Sequence, residues 1–415
     1  MRSLSWRFSP FLFFLYLIGS LHPSWALLSV DLSAEAALLM EAATGELLFH
    51  KEAHKRCFPA STTKIATALY VLERLTDHLQ DRVKVDQDSI VWMSAEAKKR
   101  NRYRDPAHWL EPGMTHIALK KGEEWTLLDL LYGMMLPSAN DAANVIARYV
   151  GGSVAQFMEQ LNSYLLEKGC RATQFKNPHG LFHPDHWTTP YDMAQLARHA
   201  LNNQLFRTII ATTSYRGVPL KGGEPRIFVQ GNKLLKRGNS SYYPYAIGIK
   251  TGYTSASGHT LVAAAEKEGR RLIAVLMGCR QPGDTFKEAK ALFEAAYREP
   301  LQQKKVIRAG PQPVTLQLPG AERALSCYCK EPWNYEYYPS QEQSLCCQVA
   351  WKELSLPIEP DEEVGVLLVT NSEGQELARR PLFAEAAVRP SSPWLLLSAS
   401  LLLSLLLLCL AWRKK

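Results

Sequence analysis

Several common motifs are missing from this sequence, and each absence narrows what the protein can be. It has no C-x-x-C motif, no internal repeat and no low-complexity tract. The lack of a C-x-x-C motif argues against a catalytic role for Cys57. Charged residues are scarce, at 21%, whereas 47% of the residues are hydrophobic, so the chain can bury a substantial core. Its 415 residues have room for two folded domains.

Signals for metal and nucleic-acid binding are weak as well. Three histidines cluster at His179, His183 and His186, but their spacing fits neither a helical zinc pair nor a catalytic triad. We interpret them as part of a loop near a cleft, and we predict neither a metal nor a cofactor. The net charge is +8, and its one dense run, KKRNRYR at 98–104, lacks the fold signals of a nucleic-acid module. That run is interpreted as a solvated loop, with a binding patch for an acidic polymer or lipid head group as the alternative.

Both ends of the chain have the pattern of targeting segments. Residues 1–26 combine positive charge, an apolar stretch and a small-residue cleavage pattern, which is typical of a secretory signal peptide. Residues 394–412 run for 19 positions without a charge, between tryptophans, and are followed by Arg-Lys-Lys at 413–415. This pattern predicts a transmembrane helix with its tail in the cytoplasm, and a buried core helix is the alternative. We therefore expect an exported body anchored on the outer side of the cytoplasmic membrane.

The cysteines are compatible with an exported protein. Four of the eight lie close together late in the chain, at Cys327, Cys329, Cys346 and Cys347. In an oxidising compartment they would form disulfides, for which three pairings are open. Zinc binding is the alternative, although C-x-C and C-C are not the usual spacings of paired zinc ligands.

A change of composition near residue 300 divides the body into two domains. Residues 27–300 alternate helical stretches such as WTLLDLLYGMML with strand-like runs such as RRLIAVLMG, which predicts an α/β domain with helices flanking a sheet. Residues 301–386 contain short alternating runs between Pro and Gly turns, which predicts a small all-β domain. A linker at 387–393 leads to the apolar segment at 394–412.

The stretch PASTTK at 59–64 is the first candidate for chemistry. Apolar residues at helical spacing predict a buried helix from about Ser61 to about Leu75, so Ser61 and Lys64 would share one face. A serine hydroxyl is a poor nucleophile until a base removes its proton. A lysine can be that base when burial, a nearby cation and a helix N-terminus disfavour its charged form. The alternative is an N-capping serine followed by an ordinary lysine.

Two further polar motifs lie at element boundaries of the same domain. Ser138 and Asn140 come just before a helix that should begin at about Asp141, where side chains can project into a cleft. The sequence Lys-Thr-Gly at 250–252 ends an apolar run, and its glycine would allow a backbone approach that a side chain would block. Each motif alone is weak, because S-x-N occurs in many loops and K-T-G is more often a plain strand exit.

The order and spacing of the three motifs make them specific. Ser138 follows Ser61 by 77 residues and Lys250 follows Ser138 by 112, in the order S-x-x-K, S-x-N, K-T-G of serine penicillin-binding enzymes and β-lactamases. Stretches such as NPHGLFHPDHWTTPYDMAQLAR and GIKTGYTSASGHTLVAAA extend the likeness over about residues 30–385. The chain resembles the D-alanyl-D-alanine carboxypeptidases of the low-molecular-mass penicillin-binding protein family. The resemblance implies an α+β, penicillin-binding-like catalytic domain with helices flanking an antiparallel sheet.

The resemblance also implies catalytic roles. Ser61 would attack the penultimate D-Ala of a peptidoglycan stem peptide and release the terminal D-Ala, leaving an ester that water cleaves. Lys64 would accept the proton of the serine, and Ser138 would pass a proton to the departing amine. The backbone N–H groups of Ser61 and Tyr253 would form the oxyanion hole. β-Lactam antibiotics would acylate the same serine.

The resemblance implies substrate-binding residues as well. Asn140 would orient the substrate amide, and Lys250 beside Thr251 would hold the terminal carboxylate. The charge of Lys250 would also help to keep Lys64 neutral. The implied substrate-binding set is Asn140, Lys250, Thr251, Gly252 and Tyr253.

Three rival functions share these motifs. A β-lactamase needs a deacylating base, and Glu159 and Asn162 in MEQLN resemble one such motif at the wrong spacing. A penicillin sensor would have to signal through a tail of three residues. Transpeptidase or endopeptidase action is the stronger alternative, because the motifs bind D-Ala-D-Ala without naming the acyl acceptor. The segment 97–114 departs from the family pattern, since it is longer and more basic than relatives generally have there.

Overall fold

The computed structural model describes residues 27–391. These residues fall into two compact units, Leu27–Glu299 and a second unit that begins at Pro300. The signal peptide and the membrane span predicted from the sequence lie outside the described residues. Within 27–391, no helix is long and apolar enough to cross a membrane.

The first unit combines an antiparallel sheet with helices. Its strands are β1 Ala36–Glu41, β2 Leu47–Lys51, β3 Arg82–Lys84, β4 Glu124–Thr126, β5 Ser214–Gly217, β6 Arg226–Val229, β7 Ala246–Thr254, β8 Gly258–Lys267 and β9 Arg270–Cys279. Its helices are α1 Lys64–Arg74, α2 Ala95–Arg100, α3 Leu127–Met135, α4 Asn140–Gly151, α5 Val154–Glu167, α6 Pro190–Asn202, α7 Gln204–Ala211 and α8 Asp284–Tyr297. The main sheet has the order β2-β1-β9-β8-β7, with every neighbouring pair antiparallel.

The central strands of this sheet are buried on both faces. Along β1, Leu38 and Met40 belong to a cluster that includes α1 and α3–α7, whereas Ala37 and Leu39 belong to a cluster that includes α8. Because successive side chains of a strand point to opposite faces, a strand covered by helices on both sides needs a continuous apolar run. This requirement explains why β1, β8 and β9 were recognisable in the sequence.

The helix predicted from about Ser61 differs at its start. Residues Ala60–Thr63 form a 3₁₀ turn, and α1 begins only at Lys64. Residues three apart are eclipsed in a 3₁₀ turn, so Ser61 and Lys64 still lie side by side.

The basic run at 98–104 is only partly the solvated loop that the sequence predicted. Its first three residues end α2, and Lys98 is buried, with its Nζ 3.0 Å from Glu111 Oε1. The last turn of α2 is amphipathic and buries Lys98, and a count of charged residues does not show this burial. Lys99, Arg100, Arg102 and Arg104 are exposed.

The described part of the second unit, 300–391, contains strands and no α-helix. The strands are β10 Gln302–Ile307, β11 Gly310–Leu316, β12 Leu325–Cys329, β13 Trp333–Tyr337, β14 Leu345–Trp351, β15 Glu363–Asn371 and β16 Glu376–Ala384. Five of them form an antiparallel sheet in the order β11-β12-β16-β15-β14, and β10 pairs with β13. The unit has its own apolar core, which includes Leu325, Val364 and Leu382.

The predicted disulfides among the four late cysteines are not formed in this structure, where all four are free thiols. Cys327 and Cys329 are buried on β12, and Cys346 and Cys347 lie on β14. Two strands stand between β12 and β14 in the sheet. Neighbouring strands lie about 4.8 Å apart, so β12 and β14 are separated by three such spacings. A disulfide can span only roughly 7 Å between Cα atoms and therefore cannot join these two strands. Among the described residues, no group of three or more His, Cys, Asp or Glu side chains could hold a metal ion.

Candidate active site

The 3₁₀ turn that carries Ser61 is tied to the main sheet. Thr260 on β8 donates its hydroxyl to the carbonyl of Pro59 at 3.0 Å, and Thr63 donates to the carbonyl of Ala60 at 2.9 Å. Ala60 has a φ of +50°, which is unusual for a residue with a side chain and fits a turn held by its surroundings.

Two glycines let other segments approach this turn closely. A Cβ atom on Gly252 of β7 would lie 2.8 Å from the backbone nitrogen of Ser61 and 2.5 Å from Thr260 Oγ1. A Cβ atom on Gly180 would lie 1.8 Å from the carbonyl oxygen of Ala60, and Gly180 has a φ of +94°. Only glycine can occupy either position without moving the turn, so Ser61 is fixed between a strand and a loop.

Lys64 Nζ is surrounded by three oxygens. It lies 2.9 Å from Ser61 Oγ, 2.7 Å from Asn140 Oδ1 and 2.8 Å from the backbone carbonyl oxygen of His179. The amide and carbonyl oxygens can only accept hydrogen bonds, whereas the serine hydroxyl can also donate. A neutral Lys64 would therefore donate to Asn140 and His179, and its lone pair would face the Ser61 hydroxyl.

The electrostatics favour this neutral form. Lys64 is completely buried, and burial lowers its pKa well below its ordinary value, with a further lowering by the charge of Lys250. Asp141 acts in the opposite direction, because its negative charge favours the protonated amine. Burial and the neighbouring cation outweigh that attraction, so the neutral form of the amine, which can act as a base, is favoured.

Asp141 was not recognised as a site residue from the sequence. It follows Asn140 in the first turn of α4, is buried, and accepts backbone N–H groups from Ile117, Leu119 and Ala142 at 2.9–3.2 Å. Burial raises the pKa of its carboxyl group. These bonds hold the segment around residue 117 against the helix that presents Asn140, and the only signal in the sequence is the position of Asp141 beside Asn140.

Ser138 lies in the cleft but does not contact the lysine through a hydrogen bond in this structure. Its Oγ is buried, and within residues 27–391 it has no hydrogen-bond partner. Its backbone has a φ of +74°, a left-handed conformation that is costly for a serine. An unpaired hydroxyl on a strained turn beside Ser61 is free to bond a substrate.

Lys250 and its neighbours lie on β7, the edge strand of the main sheet. Lys250 is 2% exposed, its Nζ donates to the carbonyl of Thr251 at 3.0 Å, and burial lowers its pKa to about 7. Thr251, Gly252 and Tyr253 line the cavity directly. A buried cation without a carboxylate partner among the described residues favours an anionic ligand.

The three clustered histidines have structural contacts. Each of His179, His183 and His186 accepts a backbone N–H with one ring nitrogen. The other nitrogen contacts a backbone carbonyl or, for His186, the hydroxyl of Thr63. Burial lowers the pKa of all three, that of His186 to about 3, so they are neutral. Both nitrogens of each ring are occupied, and the rings brace the loop whose carbonyl contacts Lys64.

These elements enclose a cavity of about 470 Å³, which Ser61, Ser138, Asn140, Thr251 and Tyr253 all line. Gly113–Thr115 and Leu181 line it as well. Glu159 and Asn162 lie elsewhere, in a surface groove on α5 that shares no residue with this cavity. The structure thus brings the three motifs together and leaves the carboxylate of MEQLN outside.

A serine paired with a neutral buried lysine, beside a cationic wall, is a site for acyl transfer through a serine ester. The fold places the protein among serine enzymes of the penicillin-binding type. Residues 23–281 match the peptidase family S11, D-alanyl-D-alanine carboxypeptidase, and the chain belongs to that family. The family resemblance predicted from the three motifs is confirmed.

Individual relatives agree with this assignment. The chain is 28% identical over 359 residues to the D-alanyl-D-alanine carboxypeptidase DacF of Bacillus subtilis, covering 85% of each protein. It is 31% identical over 273 residues to DacC of Escherichia coli, covering 65% of this chain and 62% of that enzyme.

Solved structures agree in fold. Penicillin binding protein 6B of Escherichia coli superposes with a TM-score of 0.59 over 85% of this chain and 96% of that chain, at 24% identity. The DD-transpeptidase of Streptomyces K15 superposes with a TM-score of 0.56 over 65% of this chain and 98% of that chain, at 27% identity.

Proposed function

We propose that this protein is a serine-type D-Ala-D-Ala carboxypeptidase that removes the terminal D-alanine from peptidoglycan stem peptides. The observation that carries the proposal is the contact of Lys64 Nζ with Ser61 Oγ, together with two oxygens that can only accept hydrogen bonds. This geometry supplies a base for the serine without a histidine.

The proposed first step forms the acyl-enzyme. Lys64 takes the proton of Ser61 as Oγ bonds to the carbonyl carbon of the penultimate D-Ala, and the backbone N–H groups of Ser61 and Tyr253 stabilise the oxyanion. The carbon–nitrogen bond then breaks, and the leaving amine takes a proton through Ser138. Free D-alanine departs, and an ester to Ser61 remains.

The second step is hydrolysis. Water donates a proton to Lys64 as it attacks the ester carbonyl, and the shortened peptide leaves as Ser61 regains its proton. Asn140 has its Oδ1 engaged with Lys64, so its Nδ2 group is available to donate to a substrate carbonyl. Lys250 and Thr251 hold the terminal carboxylate, and β-lactams acylate Ser61 in the same position.

The test is a product analysis. Incubation with a stem pentapeptide should yield one free D-alanine and the tetrapeptide by mass spectrometry, and Ser61→Ala should abolish both products. Products with two joined peptides would instead indicate transpeptidation, the activity named for the Streptomyces K15 relative. Cleavage of cross-linked peptides alone would indicate an endopeptidase.

The setting of the enzyme is also part of the proposal. A signal peptide at 1–26 directs export, the catalytic domain spans 27–300, and an all-β domain at 301–386 precedes a linker at 387–393. The uncharged segment 394–412 anchors the protein in the bacterial cytoplasmic membrane, with 413–415 inside the cell. The division of the chain at Pro300 and the seven strands that follow support the two-domain part of this proposal.

A further inference from the structure

The exposed basic segment 99–104, termed the basic turn, is an ordered part of the fold. It follows Lys98, whose Nζ is buried against Glu111 and donates to the carbonyl of Trp109. Three successive backbone N–H groups, those of residues 102, 103 and 104, donate to carbonyls of residues 98–101. These bonds order the backbone of the turn, from which the cationic side chains extend.

The basic turn packs against a segment that is next to the lining of the catalytic cavity. The ring of Tyr103 lies 5.6 Å from the ring of Phe182 and 5.7 Å from that of His183, measured between centroids. His183 also bonds the backbone of Tyr103. Phe182 follows Leu181, which lines the cavity. The chain that leaves the basic turn also reaches the cavity, because Gly113–Thr115 line it.

The backbone of the turn is strained in a way that separates its side chains. Arg102 and Tyr103 both have a φ of +55°, which costs energy for residues that have a Cβ atom. Tyr103 is half-buried against the loop of Phe182, whereas Arg102 and Arg104 on either side of it are exposed. A conformation of this kind is maintained by its packing, and it leaves the two arginine side chains on either side of Tyr103 exposed to solvent.

The cations of the basic turn are not neutralised within the described chain. Lys99, Arg100, Arg102 and Arg104 make no ion pair there, although many other surface cations of the same unit do, such as Arg74 and Arg82. The nearby acids Glu96 and Asp105 do not form ion pairs with them either. Four unpaired cations within six residues create a positive potential that attracts anionic groups of a ligand.

We propose that the basic turn binds a carboxylate on the acyl half of the substrate, upstream of the scissile D-Ala-D-Ala bond. This inference rests on the proposed carboxypeptidase function. In the proposed function Lys250 and Thr251 on β7 hold the terminal carboxylate, so the separate cations of the basic turn are available for an anionic group elsewhere in the peptide. Arginine is suited to this role because its planar guanidinium group binds a carboxylate through two parallel hydrogen bonds.

A matched pair of substrates tests the inference. Two pentapeptides ending in D-Ala-D-Ala would differ only in whether the second residue is Glu or Gln, and kcat/KM would be measured for both with the full-length protein in a neutral detergent. The wild-type protein should prefer the Glu peptide by roughly three- to tenfold, in the range of partly exposed charge-assisted contacts. The preference should fall as NaCl is raised, because salt screens exposed charges.

Substitutions in the basic turn test whether it causes the preference for the Glu peptide. Arg102→Gln with Arg104→Gln should bring the Glu/Gln ratio to about one, and Arg102→Lys with Arg104→Lys should retain most of it. The matched control is Arg171→Gln with Arg216→Gln, which removes two other exposed arginines without ion pairs and should keep the wild-type ratio. Far-ultraviolet circular dichroism and thermal melting would check the fold of every variant.

The outcomes separate the competing explanations. No preference in the wild-type protein, or an equal loss on both peptides in the glutamine variant, would overturn the inference and leave the carboxypeptidase assignment intact. Release of D-alanine from neither peptide would refute the proposed function itself. If phosphatidylglycerol in mixed micelles inhibits the wild-type protein but not the glutamine variant, and the peptide ratio is one, the turn is a lipid site and the proposal is wrong.

Discussion

Two buried lysines, Lys64 and Lys250, belong to the catalytic motifs and have different tasks in the proposed mechanism. Burial lowers the pKa of both, but only Lys64 has its pKa lowered further by the other lysine. Under the proposed mechanism Lys64 must be neutral to accept a proton, whereas Lys250 must be charged to hold a carboxylate. The pH profile of kcat/KM should therefore have one limb from each lysine. Because the two lysines interact, the apparent pKa values of the limbs belong to the pair.

The alkaline limb is the first prediction. Because the pKa of Lys250 is about 7, raising the pH through that value removes the positive charge that the terminal carboxylate needs. For a D-Ala-D-Ala peptide, kcat/KM should fall as the pH rises through about 7, and the C-terminally amidated peptide should show no such fall. A limb of equal size with the amide would mean that Lys250 does not bind this carboxylate.

The acid limb gives the second prediction. Removing the charge of Lys250 raises the pKa of Lys64, so Lys250→Gln should move the midpoint of the acid limb to higher pH. The measurement is the rate of acylation by labelled penicillin as a function of pH, in which midpoints rather than absolute rates are compared.

Two controls give this shift its meaning. Asp141→Asn removes a negative charge near Lys64 and should move the midpoint to lower pH. Lys233→Gln removes an exposed cation that lines the cavity and should leave the midpoint unchanged. An unaltered or lower midpoint in Lys250→Gln would show that the two lysines do not interact in this way.

At the scale of elements, the catalytic turn depends on a loop that is distant in sequence. The loop around Gly180 supplies the carbonyl of His179 to Lys64 and packs its own backbone against Ala60. Three neutral histidines brace this loop through their ring nitrogens. The turn with Ser61 and this loop therefore act as one structural unit, although each is irregular.

A pair of glycine substitutions tests that dependence, and it is the third prediction. Gly180→Ala adds a Cβ atom 1.8 Å from the carbonyl oxygen of Ala60 at a φ of +94°. It should lower the acylation rate at least tenfold, since a displaced nucleophile loses its alignment. It should also destabilise the protein by more than the roughly 1 kcal/mol expected for a left-handed alanine.

Gly169→Ala is the matched control. Gly169 has a φ of +80° after α5, but an added Cβ atom there meets nothing within 4 Å. This variant should lose about 1 kcal/mol in urea unfolding and keep the wild-type acylation rate. Similar acylation rates for the two variants would contradict the proposed coupling of loop and turn.

At the scale of the whole molecule, each described unit has its own apolar core and its own sheet. The catalytic motifs all lie in the first unit, so the proposed chemistry requires no residue of the second. The proposed anchor follows the second unit in the chain, and catalysis and membrane attachment should therefore be separable.

Truncation provides the fourth prediction. A protein that ends after Pro393 lacks the uncharged segment and should be exported in soluble form, whereas the full chain should be extracted only with detergent. The truncated protein should still form a covalent adduct with labelled penicillin, and its Ser61→Ala variant should form none. Truncated protein that remains with the membrane would disprove 394–412 as the main anchor and point to the basic turn.

The sequence alone determined the family, the order of the catalytic motifs and most of the central strands. These features are local: a strand buried on both faces must be apolar throughout, and S-x-x-K places its serine and lysine together within a single turn. The extra α7 and the small β5-β6 pair were not predicted, because segments of eight and four residues are too short for their periodicity to stand out.

Only the tertiary structure decided which groups surround the catalytic lysine. The His179 carbonyl that contacts Lys64 is 115 residues away in sequence, and Asn140 is 76 residues away. A backbone carbonyl has no residue type to recognise, and the burial that lowers the pKa of Lys64 comes from several elements at once. Tertiary contacts also decided the positions of Lys98 and Tyr103. Lys98 pairs with Glu111 and Tyr103 packs on Phe182, so the basic run is ordered, which its sequence does not show. Long-range packing fixes burial and the direction of hydrogen bonds, and these properties govern the chemistry of the site.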